Sequence, residues 1–312
     1  MTSSGTVQAP VQAYPLSTRV AIEALGSFFI VFAGLGTALF NSTGSAATIG
    51  FAYGLAMVAA IVSFGHISNG YFNPAFSLGL AVAGRLKYSA MGLYIVAQTI
   101  GAILASVVWL GMMKVMPAGA TPETAALFGA LANGFDAHSP SQVPLVGVLI
   151  VEVVAVAVLT AMILGITSIR NKTTLGPVAI GVAFAVAVAI TMPLSNGSLN
   201  PARATSVVFL AESWAAGQLW LFWLAPLVGA ALAAAIYRAF VPAVAVADLT
   251  DDAETSSAVP AATVASEALE TDDSAAEAPA APVPASSING KAAPVKGSAV
   301  DDAQAFFDGA KK

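Results

Sequence analysis

The chain is 312 residues long, 57% hydrophobic and only 9% charged, with a mean hydropathy of +0.82. Ordinary soluble domains carry roughly 25% charged residues, so this composition marks an integral membrane protein. It contains no cysteine and two histidines, which excludes a disulfide framework or thiolate metal site and argues against a hidden zinc site, and no basic stripe of the kind that binds nucleic acid is present.

The net charge of −5 is segregated. From Val244 onward there are 12 acidic and 4 basic residues, which leaves 17 − 12 = 5 acidic and 12 − 4 = 8 basic residues for the rest. The acidity therefore belongs to a C-terminal segment. Residues 1–18 lack a positive charge and contain two prolines. They read as a flexible leader before a retained first helix, without the basic n-region of a secretory signal.

Residues 20–40 form the first stretch long enough to cross a bilayer, with one charge, Glu23. Residues 46–64 form an uncharged second span. A short apolar run over 73–83 follows, about half a bilayer long, and it opens on Asn73, Pro74 and Ala75. Proline at the start of such a run supplies a preset φ and lacks an N–H that a first helical turn leaves free anyway. Arg85 and Lys87 come next, then a third span over 88–113 and a loop over 114–144 that is rich in proline, glycine, serine and small polar residues. Residues 145–169 are the fourth span, again with one charge, Glu152; 175–194 are the fifth. A second half-span over 200–211 opens on Asn200, Pro201 and Ala202, and 215–237 complete the set. From Val244 the composition of Ala, Pro, Asp, Glu, Ser and Thr cannot bury enough apolar surface to offset its ordering entropy, so 242–312 are expected to form a disordered tail.

The two halves match. SNGYFNPAF at 68–76 and SNGSLNPAR at 195–203 share Ser-Asn-Gly and Asn-Pro-Ala at a constant offset of 127. Each half reads as a span with an early glutamate, a span, a half-span and a span. Three full spans per half is an odd number, so the second half enters the membrane from the opposite side, and the architecture is an all-α inverted repeat of about 19–113 and 145–241. No segment alternates apolar and polar residues long enough for a β-barrel. With these spans, Arg19, Arg85, Lys87, Arg170, Lys172 and Arg238 fall on one side and Lys114 alone on the other. The excess of positive charge predicts cytoplasmic termini and an exterior 114–144 loop.

Backbone that is not helical at membrane depth survives only where protein or a wet cavity satisfies it, so the SNGxxNP segments are expected to line an aqueous path. Half-helices that meet N-terminus to N-terminus aim positive dipole ends at that path. Asn73 and Asn200 would cap them while leaving amide donors for a polar neutral solute. Glu23 and Glu152 are each expected to accept backbone N–H groups from a half-span loop; neither has the chain of partners that a proton relay needs. His66 either walls the path or packs as a hydrogen-bonded side chain. Arg203 follows the second Asn-Pro-Ala with no nearby anion in sequence except Glu212, which predicts a functional arginine lining a wet constriction, held partly by backbone carbonyls.

Two Asn-Pro-Ala motifs in inverted halves, glutamates in spans one and four, GHISNGYFNPA and an arginine after the second motif resemble the major intrinsic protein family, the aquaporins and their glycerol-conducting relatives. The resemblance covers about 19–241. It implies a homotetramer of separate pores in the cell membrane, without cofactor, carrying water and small neutral solutes and rejecting ions by pore width, lining donors, Arg and half-helix dipoles. It further implies an outer filter of Tyr53, Val188, Gly197 and Arg203. Water-selective bacterial members typically place an aromatic, His, Thr and Arg there, so this filter is expected to be wider and less polar on two sides. Ala204 after Arg203, and Phe222-Trp223, look like the aquaporin branch; Gly and Val in the filter keep a glycerol, urea or ammonia facilitator open. An ion-coupled transporter is disfavoured because no charged pairs occupy the midplane.

Overall fold

A computed structural model describes residues 14–41, 44–116 and 123–240. The leader before residue 14 and the acidic tail lie outside the described residues. Among the described residues, six helices are long and apolar enough to cross a membrane: α1 Leu16–Phe40, α2 Ala46–Ser68, α4 Tyr88–Val115, α6 Leu145–Ile166, α7 Gly176–Ser195 and α9 Ser213–Phe240. Two short helices, α3 Pro74–Val82 and α8 Pro201–Val208, are the half-spans, and α5 Thr124–Leu131 lies between α4 and α6. The helix α5 falls in the segment expected to be a loop. Its sequence TAALFGAL is built mostly of good helix formers, and Phe128 and Leu131 are buried, so it has an apolar face of its own.

Why the helices sit where they do follows from their small residues. In α2, a Cβ on Gly54 would lie 2.4 Å from the Gly181 carbonyl oxygen of α7, and one on Gly50 would lie 2.5 Å from that of Ala185. In α4, a Cβ on Gly101 would fall 2.1 Å from the Ala24 carbonyl oxygen of α1; in α9, one on Gly229 would fall 2.3 Å from that of Val153 in α6. With no hydrophobic drive between helices in lipid, such close backbone approach is what packs them. The contacts are related by the repeat: α1 pairs with α4 as α6 pairs with α9, and α2 meets α7 between the halves. Each half-helix packs against the last span of the other half, α3 on α9 and α8 on α4, so the halves interlock. Large apolar side chains such as Phe51, Leu55, Val96, Ile150, Val186 and Ile236 remain exposed, as a bilayer-facing surface requires.

The inverted repeat is visible in backbone geometry as well as in sequence. Asn69, Gly70 and Phe72 have φ of 73°, 68° and 50°; Asn196, Gly197 and Leu199 have 64°, 62° and 52°. The helix α2 runs on to Ser68, past the expected end at 64, because no residue leaves helical geometry until Asn69 caps it in the left-handed region. Asparagine and glycine enter that region readily, but Phe72 and Leu199 do so only under constraint.

Candidate functional site

The constraint on both loops is a buried carboxylate. Glu23 accepts hydrogen bonds from the backbone N–H of Tyr71 at 3.1 Å and Phe72 at 2.7 Å, from Ser68 Oγ at 2.6 Å and from Gln98 Nε2 at 2.7 Å. Glu152 accepts from the N–H of Ser198 at 3.3 Å and Leu199 at 2.9 Å and from Ser195 Oγ at 2.6 Å. Both glutamates are fully buried. In each half the carboxylate takes up the N–H of the strained residue before the Asn-Pro-Ala motif, a donor that no helix or strand would otherwise satisfy. The residue after each glutamate, Ala24 or Val153, is the one against which Gly101 or Gly229 packs, so helix contact and carboxylate position are set together.

Beyond the loops, Asn73 and Asn200 cap the N-termini of α3 and α8. Asn73 Oδ1 accepts from the N–H of Ala75 at 2.9 Å, and Asn200 Oδ1 accepts from those of Ala202 at 2.9 Å and Arg203 at 3.3 Å. The sequence reading left both amide groups free as donors; in the structure each is partly committed. Asn73 Nδ2 donates to the Leu199 carbonyl at 2.9 Å and Asn200 Nδ2 to that of Phe72 at 3.3 Å, so each asparagine ties its half-helix to the opposite loop. One N–H of each amide is thereby committed and the other retained. Two helix N-termini, with their positive dipole ends, are held against each other at this junction.

Arg203, in the first turn of α8, is buried, and its guanidinium is divided among neutral acceptors. Nε donates to the Tyr53 hydroxyl at 3.3 Å, Nη2 to the Asn196 carbonyl at 3.0 Å and Nη1 to Asn133 Oδ1. Glu212 is not among these partners; it accepts from Trp214 Nε1 at 2.9 Å. The Tyr53 ring packs against Gly34 of α1, where an added Cβ would fall 2.1 Å from it, and meets Phe184 edge-on at 6.4 Å. A Cβ on Gly197 would lie 3.3 Å from Val188 Cγ1. Tyr53, Val188, Gly197 and Arg203 therefore gather at one place.

Two residues that sequence reading missed complete the arrangement. Asn133, after α5, donates from Nδ2 to the carbonyls of Ser195 and Asn196, both at 3.0 Å, while its Oδ1 holds Arg203. Asn196 in turn donates to the carbonyls of Ala130 at 2.7 Å and Ala132 at 2.9 Å. Asn-Gly at 133–134 reads as ordinary turn chemistry, so nothing local signals this role. Gln98, a lone amide in an apolar span, did carry a signal; it bridges Glu23 and Ser77 Oγ at 2.9 Å. His66 is exposed on the wall of a cavity that opens where α1 begins and α9 ends, its ring edge-on to Tyr14 at 6.0 Å.

Six spans in two inverted halves, with paired half-helices meeting by their N-termini inside the bundle, define a membrane protein built around a polar junction at bilayer depth. The sequence pattern described as "Major intrinsic protein" matches residues 11–237, and the chain belongs to that family. Among curated proteins it is 37% identical over 225 residues to Aquaporin Z of Photorhabdus laumondii, covering 70% of this chain and 96% of that one. It is 38% identical over 231 residues to Aquaporin Z of Rhodopseudomonas palustris, covering 72% and 94%. Among solved structures, the aquaglyceroporin from Plasmodium falciparum shares the fold with a TM-score of 0.62 at 21% identity, covering 74% of this chain and 99% of that one.

Proposed function

We propose that the protein is a passive channel, not an enzyme, that carries water and small uncharged solutes while excluding ions and protons. The observation that carries this reading is the guanidinium of Arg203, held by a phenol, an amide and a carbonyl with no carboxylate, next to two abutting helix N-termini. Fixed positive potential repels cations, and donors already in place let a neutral hydrogen-bonding solute pass without reorganisation. The Aquaporin Z relatives support water as the principal solute.

In this reading Asn73, Pro74, Ala75, Asn200, Pro201 and Ala202 form the midplane constriction, and Tyr53, Val188, Gly197 and Arg203 the outer filter. Glu23 and Glu152 hold the loops, and His66 walls the inner mouth. The conducting domain is 19–241, multi-pass in the cell membrane, with both termini cytoplasmic because six of seven membrane-flanking cations share their face. A homotetramer fits the family. Facilitation of glycerol, urea or ammonia is the second reading, favoured by the small Gly197 and apolar Val188. Stopped-flow light scattering on proteoliposomes decides between them: water flux well above empty vesicles with slow glycerol entry is expected, and glycerol flux without appreciable water flux would overturn the first reading.

A further inference from the structure

One side of the outer filter has no side chain of its own. Gly197 stands at a φ of 62°, in the left-handed region that L side chains rarely enter, so the loop presents bare backbone there. The space beside it is nevertheless filled. The point at which a Cβ would stand lies 2.8 Å from Met192 Sδ, 3.3 Å from Met192 Cγ and 3.3 Å from Val188 Cγ1. Non-bonded carbon atoms sit best at about 3.5–4.0 Å, so the thioether already occupies the room that a side chain at 197 would need.

Helical spacing brings the two apolar side chains to this point. Val188 and Met192 are an i, i+4 pair in α7 and share a face, one turn apart. The backbone around them is tied down. The Met192 carbonyl accepts the Asn196 N–H at 3.1 Å and the Thr191 carbonyl accepts that of Gly197 at 3.3 Å, so the last turn of α7 and the loop keep a fixed spacing. The Asn196 carbonyl in turn accepts from Arg203 Nη2 at 3.0 Å, so one loop residue joins the turn that carries Met192 to the guanidinium. Val188 and Gly197 are buried, whereas Met192 keeps part of its surface open. An unbranched, polarizable thioether is the kind of side chain that fills an irregular gap without demanding one rotamer.

We propose that Met192 is a further specificity-determining residue: its thioether stands in for the side chain that Gly197 lacks and, with Val188, sets the width of the filter beside Tyr53 and Arg203. This rests on the channel reading above. The identities at 188 and 197 alone describe a wider opening than the protein has, because the missing bulk is returned from one helical turn away. The sulfur also gives this wall a chemical handle that a hydrocarbon lacks. Hydrogen peroxide transfers one oxygen to Sδ as its O–O bond breaks, leaving the sulfoxide and water; the sulfur loses two electrons and the peroxide gains them. The product is bulkier and polar where the thioether was apolar.

Stopped-flow measurement of water and glycerol entry into proteoliposomes of the full chain tests this. Met192→Ala should raise glycerol permeability relative to water about tenfold, the low end of what one missing methylene group changes in a fixed pocket. Met192→Leu, of similar volume, should keep the ratio within about twofold. An unchanged ratio in Met192→Ala with water flux intact overturns the proposal even if the unfolding temperature falls, because a side chain that only packs the end of α7 affects stability alone. Should Met192→Ala not fold, peroxide treatment of the unmodified protein decides: sulfoxide at Met192, followed by peptide mass spectrometry, should lower water permeability at least about twofold, and Met192→Leu treated in parallel should not respond. Full oxidation at 192 with unaltered water flux, or an equal loss in Met192→Leu, overturns the proposal. So does resistance of Met192 to oxidation, since a thioether on the water path is within reach of peroxide. An unmodified protein that passes neither water nor glycerol would overturn the channel reading instead.

Discussion

The two half-span loops have the same backbone and are braced differently. The shared part is fixed by covalent and local demands: a serine that donates to the carboxylate, an asparagine and a glycine in the left-handed region, a strained residue whose N–H goes to the carboxylate, and an asparagine cap. The supports differ. The first carboxylate receives a fourth donor from Gln98 of α4, three residues before Gly101, whereas the corresponding position in α9, three residues before Gly229, is Pro226. The second loop is braced from outside, by Asn133 bonding the carbonyls of Ser195 and Asn196. The bracing from outside sits in the half that carries Arg203, and the same amide holds the guanidinium. A loop stapled by its own half is indifferent to what covers it; a loop stapled by the segment after α5 makes the Arg203 geometry depend on that segment.

The sharpest way to break this comparison is to weaken both carboxylates. Glutamine offers one acceptor oxygen where the carboxylate offers two, and each N–H left unsatisfied in the interior costs about 1–3 kcal/mol. Glu23→Gln should orphan at least two donors and lower stability by about 3–5 kcal/mol, and Glu152→Gln, with three donors to satisfy, by somewhat less. Thermal unfolding in detergent micelles measures both. A larger loss for Glu152→Gln would show that the outside brace does not compensate for the missing fourth donor.

A test of the equality between halves comes next. Gly101→Ala and Gly229→Ala each drive a methyl onto a backbone carbonyl, at 2.1 Å and 2.3 Å, next to a loop-holding glutamate. Backbone cannot step aside as a flexible side chain does, so each should cost about 1–3 kcal/mol, and the two should match within about 0.5 kcal/mol. Unfolding in the same micelles would show a mismatch if one half carries more of the packing.

How much of this was legible in sequence depended on whether a feature repeats or stands alone. The two Asn-Pro-Ala runs and the two glutamates announce themselves by recurrence at matching positions of the two halves, and each lies in an apolar background where a charge or a proline is conspicuous. The bracing of Arg203 by Asn133 is a contact across 70 positions between a turn-like asparagine and a half-helix, with no periodicity to betray it. Helix α5 was hidden by flanking proline and glycine, and the crossing of the asparagine amides onto opposite loops depends on the angle at which the halves meet. The direction of the Tyr53 hydroxyl is likewise a packing result, set by Gly34 leaving room for the ring.

Arg203→Val is the asymmetric counterpart, because position 76 in the first half is already apolar. The change removes the donor and the fixed charge but leaves both carboxylates and both caps. Glycerol permeability relative to water should rise about tenfold, equivalent to roughly 1.4 kcal/mol of lost discrimination. Stopped-flow measurements of both solutes on one vesicle preparation read the ratio, and an unchanged ratio would place solute sorting elsewhere.

Tyr53→Phe is the finest test. The ring keeps its place against Gly34 and Phe184, and Arg203 keeps Asn133 and Asn196, so only the acceptor of Nε is lost. A single hydrogen bond of this kind is worth about 0.5–1.5 kcal/mol net, and at 3.3 Å the present one belongs at the lower end. Discrimination against glycerol should therefore fall about two- to threefold while water permeability changes by less than about twofold. If the hydroxyl only steadied the guanidinium, Asn133→Ala, which removes an acceptor of Arg203 together with the brace on the Ser195 and Asn196 carbonyls, would lower discrimination at least as much. If the hydroxyl also supplies the polarity that Val188 and Gly197 lack, Tyr53→Phe admits glycerol more readily than Asn133→Ala does. The ratio of the two effects thus separates a group that holds Arg203 from one that itself meets the solute.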